Sequence, residues 1–482
     1  MYTGLRSAIL TGRLEGGTRL PPTRLLAREL HLSRNTIVNA FEQLIAEGYL
    51  EGKMGSGTYV AHVLPEEALQ EQKRNSAPPA GQQQDAQISA WGRQLAGKDI
   101  RAVRYADDVR AFQPGIPAID QFPYKLWARL AADCWRAPEP RLLSYADAQG
   151  YLPLREAVVS YLKATRGMQC EPEQVIITTG TQQALDLAAR IILNPGETVA
   201  MEDPGYLGAR IALAGAGASI LPIGVDQDGL RVDQLKARQE PIRLIYVTPS
   251  HQYPIGVTMS LARRLALLEW AARTGAWILE DDYDSEYRYA GPPLAALQGL
   301  DQRGCVLYLG TFSKVLLPSL RLGYLVVPPV LAETFARGRG AVDRHSSNMD
   351  QYILAAFIRE GHFARHIRRM KGLYQERQET LLAEARRRLS GLLDVQPATA
   401  GLHVMGWLPA GVDDQRAVHL AQARGVDSSP LSVYALTPQP RGGLVLGYAC
   451  ANPPAIRAAV EQLAQALEQA CADQEYRFHL HN

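Results

Sequence analysis

Cysteine is scarce and scattered. The 482-residue chain carries five, Cys134, Cys170, Cys305, Cys450 and Cys471, far apart and with no C-x-x-C pair. Neither a disulfide framework nor a zinc site is expected from such spacing, only reduced thiols. Long apolar runs are missing as well: no stretch approaches the ~18 residues that cross a bilayer. The N-terminus MYTGLRSAIL lacks the basic start, apolar stretch and small-residue cleavage site of a signal peptide. These absences argue against a membrane protein and for a cytoplasmic one. A surplus of one charge is also absent, since 51 basic residues face 49 acidic ones for a net charge of +2, which excludes a polybasic nucleic-acid coat. The whole excess falls in residues 1–60, with seven Lys/Arg and five Asp/Glu, a hint of where an anionic partner binds.

Hydrophobic residues at 46% and charged residues at 21% are ordinary for a soluble globular chain able to bury a sizeable core. At about 150 residues per domain the length suggests two to four domains. The expected organisation is a first domain over 1–62, a flexible linker over 63–106 and a large domain over 107–482. The linker contains EEALQEQKRNSAPPAGQQQDAQ, polar and nearly free of large apolar residues, which cannot bury enough surface to offset its chain entropy. An exposed helix under EEALQEQKR is the alternative. From Trp127 onward short apolar runs alternate with helix-length amphipathic stretches. Strands are expected at 175–179, 198–202, 243–247, 277–279, 306–310 and 323–327, with helices such as TQQALDLAARIIL and SLARRLALLEWAART between them. That rhythm implies an α/β domain, a mostly parallel sheet with helices on both faces. After about residue 345 the chain reads mainly helical, with a short β portion around LVLGYA, as a smaller α/β subdomain. No internal repeat is present.

The first sixty residues read as three helices and a hairpin. Leu5, Ile9 and Leu10 give the first helix its apolar stripe, and Gly12 and Gly16-Gly17 stop it. After Pro21-Pro22, Thr23 is the expected cap of a short helix with Leu25, Leu26, Ala27 and Leu30 facing inward. Ser33 caps a third helix, in which Ile37, Phe41 and Leu44 share one buried face and leave Arg34, Asn35 and Thr36 exposed in its first turn. Tyr49-Leu50-Glu51 and Thr58-Tyr59-Val60 alternate like two strands around a glycine-rich tip. A helix-turn-helix with a β wing suits duplex DNA: Arg34 and Asn35 are types that bond guanine and adenine edges. Arg24 and the backbone NH groups of Gly55, Ser56 and Gly57 are placed to hold phosphates. Composition alone would equally allow a helical protein-interaction module. The stretch LPPTRLLARELHLSRNTIVNAFEQLIAEGYLEGKMGSGTYV closely resembles the GntR-type winged helix over residues 4–61. Such domains usually begin several residues earlier, so the resemblance implies either a shortened first helix or a misassigned start site.

In the large domain, LGTFSKVLLPSLRLGYLV sets Lys314 just after an apolar strand, among small hydroxyl residues, with Arg321 seven positions on. A desolvated lysine near another cation has a lowered pKa and can act as an amine nucleophile that forms a Schiff base. A phosphorylated aldehyde would need anion donors, which Thr311, Ser313 and Arg321 could supply. Upstream, a strand ends in Gly180-Thr181-Gln182 and opens a helix, aiming NH groups at a phosphate. In WILEDDYDSEYRY three acids follow a buried strand, where a carboxylate needs a cation or a metal. A pyridinium nitrogen is such a cation, and no His lies in the stretch to favour a metal. Tyr206, after a strand and a Pro-Gly turn, could stack on a planar cofactor or be a core tyrosine.

The ordered motifs SYADAQGYLPLREAV, TTGTQQALD, EDPGY, EDDYDSE and TFSK…R resemble the fold-type I pyridoxal-phosphate enzymes of the class I aminotransferase group, from about residue 110 to 470. The resemblance implies pyridoxal 5'-phosphate held by Lys314 as an internal aldimine, with Asp281 on the ring nitrogen. Tyr283 would bond the ring hydroxyl, Tyr206 would stack on the ring, and Gly180, Thr181, Gln182, Thr311, Ser313 and Arg321 would surround the phosphate. Two departures stand out. TPSHQYPIG replaces the usual Asn-Pro-x-Asn-Pro, so His251 or Gln252 could serve the ring hydroxyl instead. The arginine that usually clamps a substrate carboxylate is missing from the VLGY stretch, and Arg441, four residues earlier, is the candidate effector contact.

A GntR-type reader, a linker and an aminotransferase-like domain in this order resemble the MocR-type transcription regulators. That resemblance implies a homodimer on an operator with two half-sites, sensing pyridoxal phosphate, an amine or an amino acid. The rival from another class is an active transaminase with a DNA-binding extension. A scaffold with both sites dead is disfavoured by the complete cofactor set around Lys314.

Overall fold

The computed structural model describes residues 1–53, 56–63, 88–96, 109–291 and 294–480. It divides into two compact units, Met1–Arg93 and Gln94–Asn482. Their boundary falls inside the stretch expected to be linker, within a short helix at Ala90–Ala96. The EEALQEQKR segment and the rest of the expected linker over 64–87 and 97–106 lie outside the described residues.

The first unit has helices α1 (Tyr2–Leu10), α2 (Thr23–Glu29) and α3 (Arg34–Ala46), then an antiparallel hairpin of β1 (Leu50–Lys53) and β2 (Gly57–Val60). Ser33 caps α3: its hydroxyl accepts the Thr36 NH at 3.1 Å. Ile37, Phe41 and Leu44 are buried with Ile9, Leu20, Tyr49, Leu50 and Val60 in one small core. Two expectations fail at α2. Thr23 is its first helical residue and Pro22 the cap, because a fixed proline φ already suits the turn that starts the helix. Leu25 and Leu30 are exposed at 46% each, and the core takes Ala27 and part of Leu26 instead. A seven-residue helix has too few turns to bury the whole set. Leu10 at the end of α1 is likewise exposed.

The second unit is built on an eight-stranded sheet of β3 (Val175–Thr178), β4 (Thr198–Asp203), β5 (Ser219–Asp226), β6 (Gly229–Leu230), β7 (Ile242–Val247), β8 (Trp277–Asp282), β9 (Val306–Thr311) and β10 (Gly323–Val326). Its order is β3-β10-β9-β8-β7-β4-β5-β6. The middle five, β9 to β5, run parallel, while β10 lies antiparallel between β3 and β9 and β6 turns back on β5. All six expected strands form. The edge pair β5 and β6 went unread, since SILPIGVD is half-buried and interrupted by proline and glycine. Successive residues feed opposite faces. Leu244 and Tyr246 pack under the helices Thr181–Ile192 and Leu207–Gly215, while Ile245 and Val247 pack under Leu261–Thr274.

Beyond residue 345 a four-stranded antiparallel sheet, β11 (Asp394–Val395), β12 (His403–Trp407), β13 (Ser429–Pro430) and β14 (Gly443–Gly447), is ordered β11-β12-β14-β13. It packs with the long helices His362–Arg388 and Pro453–Leu480. The expected LVLGYA strand is β14.

Candidate functional site

Three acids at the end of β8 point alternately, and this decides which is available. Glu280 turns to one face, where its carboxylate accepts the Leu297 and Gln298 NH groups at 2.9 and 3.0 Å. Asp282, on the same side, accepts from Arg166 Nε at 3.0 Å and Tyr308 at 2.6 Å. Asp281 turns to the other face. There Tyr246 donates to its Oδ2 at 2.7 Å, and Oδ1 is buried without a partner among the described residues. Burial pushes the Asp281 carboxyl up to about 7, against the Tyr246 bond that lowers it.

Lys314 follows β9 and its Nζ donates to the Gly115 carbonyl at 2.8 Å. Only glycine allows that approach: a Cβ on Gly115, whose φ is +76°, would lie 2.7 Å from Nζ. Burial lowers the Lys314 pKa below the ordinary lysine value, and Arg321 adds to the effect while Asp284 and Asp281 oppose it. Arg321, itself at φ 49°, lays its guanidinium against Gly180, where a Cβ would meet it at 3.1 Å. Gly180 caps the helix Thr181–Ile192 with φ 118°, and Thr181 opens that helix. The Gln182 amide donates to the Gly208 carbonyl at 3.0 Å. Thr311 and Ser313 are buried beside each other, Thr311 Oγ1 accepting the Ser313 NH at 3.2 Å. A lysine amine, an unpartnered carboxylate oxygen and a helix N-terminus backed by arginine thus come together at the carboxyl ends of the strands, the usual binding side of such sheets.

Tyr206 caps the next helix and stands edge-on to Tyr253, with ring centroids 5.8 Å apart. His251 lies at the centre of a buried chain: its Nδ1 is 3.1 Å from Asp284 Oδ2 and 3.0 Å from the Tyr283 hydroxyl. Gln252 does not reach outward. Its Nε2 donates to the Pro204 and Tyr253 carbonyls at 2.9 and 2.8 Å and its Oε1 accepts the Ile255 NH, so the turn itself absorbs the amide expected for a ring hydroxyl. Arg441 also stands elsewhere. Its guanidinium donates to the Leu408 and Trp407 carbonyls, before the Gly443 end of β14. It is the opposite end, Gly447, that meets the Gln113-Pro114 backbone.

Several neighbours escaped local motif reading. Asp284, His403, Tyr434 and Tyr246 arrive from separate elements, and only the fold joins them. Ligand atoms of His251, Asp284 and His403 lie within 4.8 Å of one another, a group that could hold a metal. The no-histidine argument drawn from the β8 stretch alone missed this grouping. His403 Nε2 is already 3.1 Å from the Pro254 carbonyl, and burial followed by the neighbouring His251 depresses its pKa well below the usual imidazole value.

In the first unit Arg34, Asn35 and Thr36 are all exposed in the first turn of α3, and Arg24 is exposed in α2. Gly57 begins the return strand of the wing and Ser56 is the turn residue before it, its hydroxyl 3.3 Å from that of Tyr59. Gly55 lies outside the described residues.

Residues 1–60 match the profile of the bacterial regulatory proteins of the gntR family, and residues 120–463 that of the class I and II aminotransferases. The chain is 43% identical over 466 residues to the probable rhizopine catabolism regulatory protein MocR of Rhizobium meliloti, covering 97% of this chain and 92% of that one. It is 29% identical to the HTH-type pyridoxine biosynthesis transcriptional regulator PdxR of Corynebacterium glutamicum, covering 96% and 94%. Among solved structures, LysN, the α-aminoadipate aminotransferase of Thermus thermophilus complexed with N-(5'-phosphopyridoxyl)-L-leucine, superposes with a TM-score of 0.71 at 28% identity. That match covers 80% of this chain and 96% of that one.

Proposed function

Since the chain belongs to the MocR-type regulators, a gntR-family reader joined to a class I and II aminotransferase domain, we propose that it is a cytoplasmic, pyridoxal-phosphate-dependent transcription regulator that senses a small amine through Lys314. The observation that carries the reading is a Lys314 amine close enough to Asp281 to interact electrostatically while the carboxylate keeps its Oδ1 without a partner among the described residues. A buried carboxylate oxygen without a donor suits a protonated ring nitrogen. Gly180, Thr181 and Arg321 suit a phosphate, because any side chain at 180 would push the guanidinium away. Thr311 and Ser313 supply hydroxyls beside it. Tyr206 is the ring-stacking candidate, and Tyr283 the donor to the ring hydroxyl.

Pyridoxal phosphate, when bound, would supply an aldehyde carbon able to exchange one primary amine for another, with Lys314 as the resident amine. This chain's residues prepare that exchange. Burial keeps a fraction of the Lys314 amine unprotonated, the Gly115 carbonyl orients it, and Asp281 holds the proton at the ring nitrogen. His251, with Nδ1 3.1 Å from Asp284 Oδ2 and 3.0 Å from the Tyr283 hydroxyl, ties Tyr283 to Asp284 and so fixes the place of that hydroxyl.

The first unit, taken as residues 1–62, reads duplex DNA through Arg34, Asn35 and Thr36, with Arg24, Gly55, Ser56 and Gly57 on phosphates. A symmetric homodimer would set two readers on two half-sites. The joint test records the visible absorbance of the cofactor-loaded protein and its operator affinity while amines and amino acids are added. Effector-dependent changes in both, with no steady conversion of an amino donor and an oxo acid, support a sensor. Steady turnover at ~1 per second or faster without any change in operator affinity would instead support the transaminase.

A further inference from the structure

Resting on the reading of Lys314 as an amine-exchanging lysine, we propose that its ligand is a primary amine with no carboxylate on the carbon bearing the nitrogen. Charge around the site is acidic. Asp281, Asp284 and Glu202 are all buried there, and Glu202 has its Oε1 unpartnered while burial raises its pKa to about 7. Cations are committed. Arg321 lies against Gly180, at the place assigned to the phosphate. Arg210 donates to the Val433 carbonyl at 3.2 Å and interacts with Asp203, and Arg441 is bound to carbonyls beyond the far end of β14.

What borders the site instead is rings and hydroxyls. Val445 and Gly447 fall on one face of β14, and Val445 packs with Met405, Leu431 and Tyr434 rather than presenting a polar group. The Tyr434 hydroxyl meets that of Tyr253 at 3.0 Å, and Tyr253 in turn stands edge-on to Tyr206 and Tyr283. A carboxylate brought into this surrounding would find Arg321, Arg210 and Arg441 already engaged, whereas an uncharged or hydroxylated substituent would find partners.

The test uses the full chain loaded with pyridoxal phosphate and follows its visible band during titration with matched probes at equal concentrations of unprotonated amine. The sets are phenethylamine, phenylalanine and phenylalaninamide, and ethanolamine and serine. Each decarboxylated amine should half-saturate at a concentration at least about tenfold lower than its amino acid, a difference of about 1.4 kcal/mol. Phenylalaninamide, of similar size but without the charge, should follow phenethylamine. Amino acids equal to or better than their amines would overturn the proposal, as would an intact band that no amine shifts. Failure of the underlying reading is separable, because the loaded protein would then show no Lys314-dependent band before any probe is added.

Discussion

In the first unit the groups able to touch a partner are exposed and consecutive: Arg34, Asn35 and Thr36 share one helical turn fixed by Ser33. In the second they are buried and come from segments as distant as Gly115, Gly180, Asp281 and Lys314. The reader needs only a stable helix to display its side chains, so each residue there should act nearly independently. The cofactor site depends on mutual geometry and on charges kept out of water, so each change there should be felt by the rest. This contrast orders the expected effects.

The largest belongs to Lys314. Lys314→Ala should abolish the lysine-dependent visible band of the loaded protein while leaving the phosphate contacts able to hold free cofactor, as absorbance after dialysis would reveal. Next is Asp281→Asn, which removes the charge facing the ring nitrogen and should weaken cofactor binding by roughly 2–4 kcal/mol, read by titration at pH 8. Its effect on the cofactor-free protein has the opposite sign. The Asp281 carboxyl is raised by burial to about 7 in the folded state, above its ordinary value of 3.8. Stability from the protonated form is therefore complete at low pH and lost as pH rises through about 7. Cofactor-free Asp281→Asn should lose less melting temperature between pH 5 and pH 8 than the wild type. Part of the fall will remain, because Glu202 and Glu280 are raised to about 7 as well.

Smaller effects are expected in the reader. Arg34→Ala should cost about 1–3 kcal/mol of operator affinity and relax sequence preference, whereas Arg24→Ala should weaken all duplexes alike and reduce the salt slope by about 1. Equal salt slopes for both variants and wild type would remove the distinction between base and phosphate contacts. Ser33→Ala, which deletes the cap over Thr36, should lower the stability of the first unit by ~1 kcal/mol in a melting experiment and leave the cofactor band untouched.

The same contrast explains what could be read from the sequence. Periodicity located α3, the six main strands and the β14 segment, because each carries an apolar pattern bounded by glycine, proline or a cap. It missed β5, whose residues are mostly half-buried, and β6, which is only two residues long, and it overfilled α2, where Leu25 and Leu30 face water. Lys314, Asp281 and the Gly180 turn were legible because each sits where a strand ends. Arg441 was misplaced because nearness along the chain says nothing about which end of β14 faces the site. Gln252 was read as a ligand contact because a turn's own amide bonds leave no mark on composition. Asp284, His403 and Tyr434 were silent for a related reason: their chemistry arises only when three separate elements meet.

If Lys314 couples amine binding to DNA binding, operator affinity in the presence and absence of an amine that shifts the visible band measures that coupling directly. For the wild type the band shift and the change in DNA affinity should follow the same concentration curve, with a coupling of ~1–3 kcal/mol. Lys314→Ala should bind the operator with no response to that amine. An operator response in Lys314→Ala equal to that of the wild type would contradict coupling through Lys314.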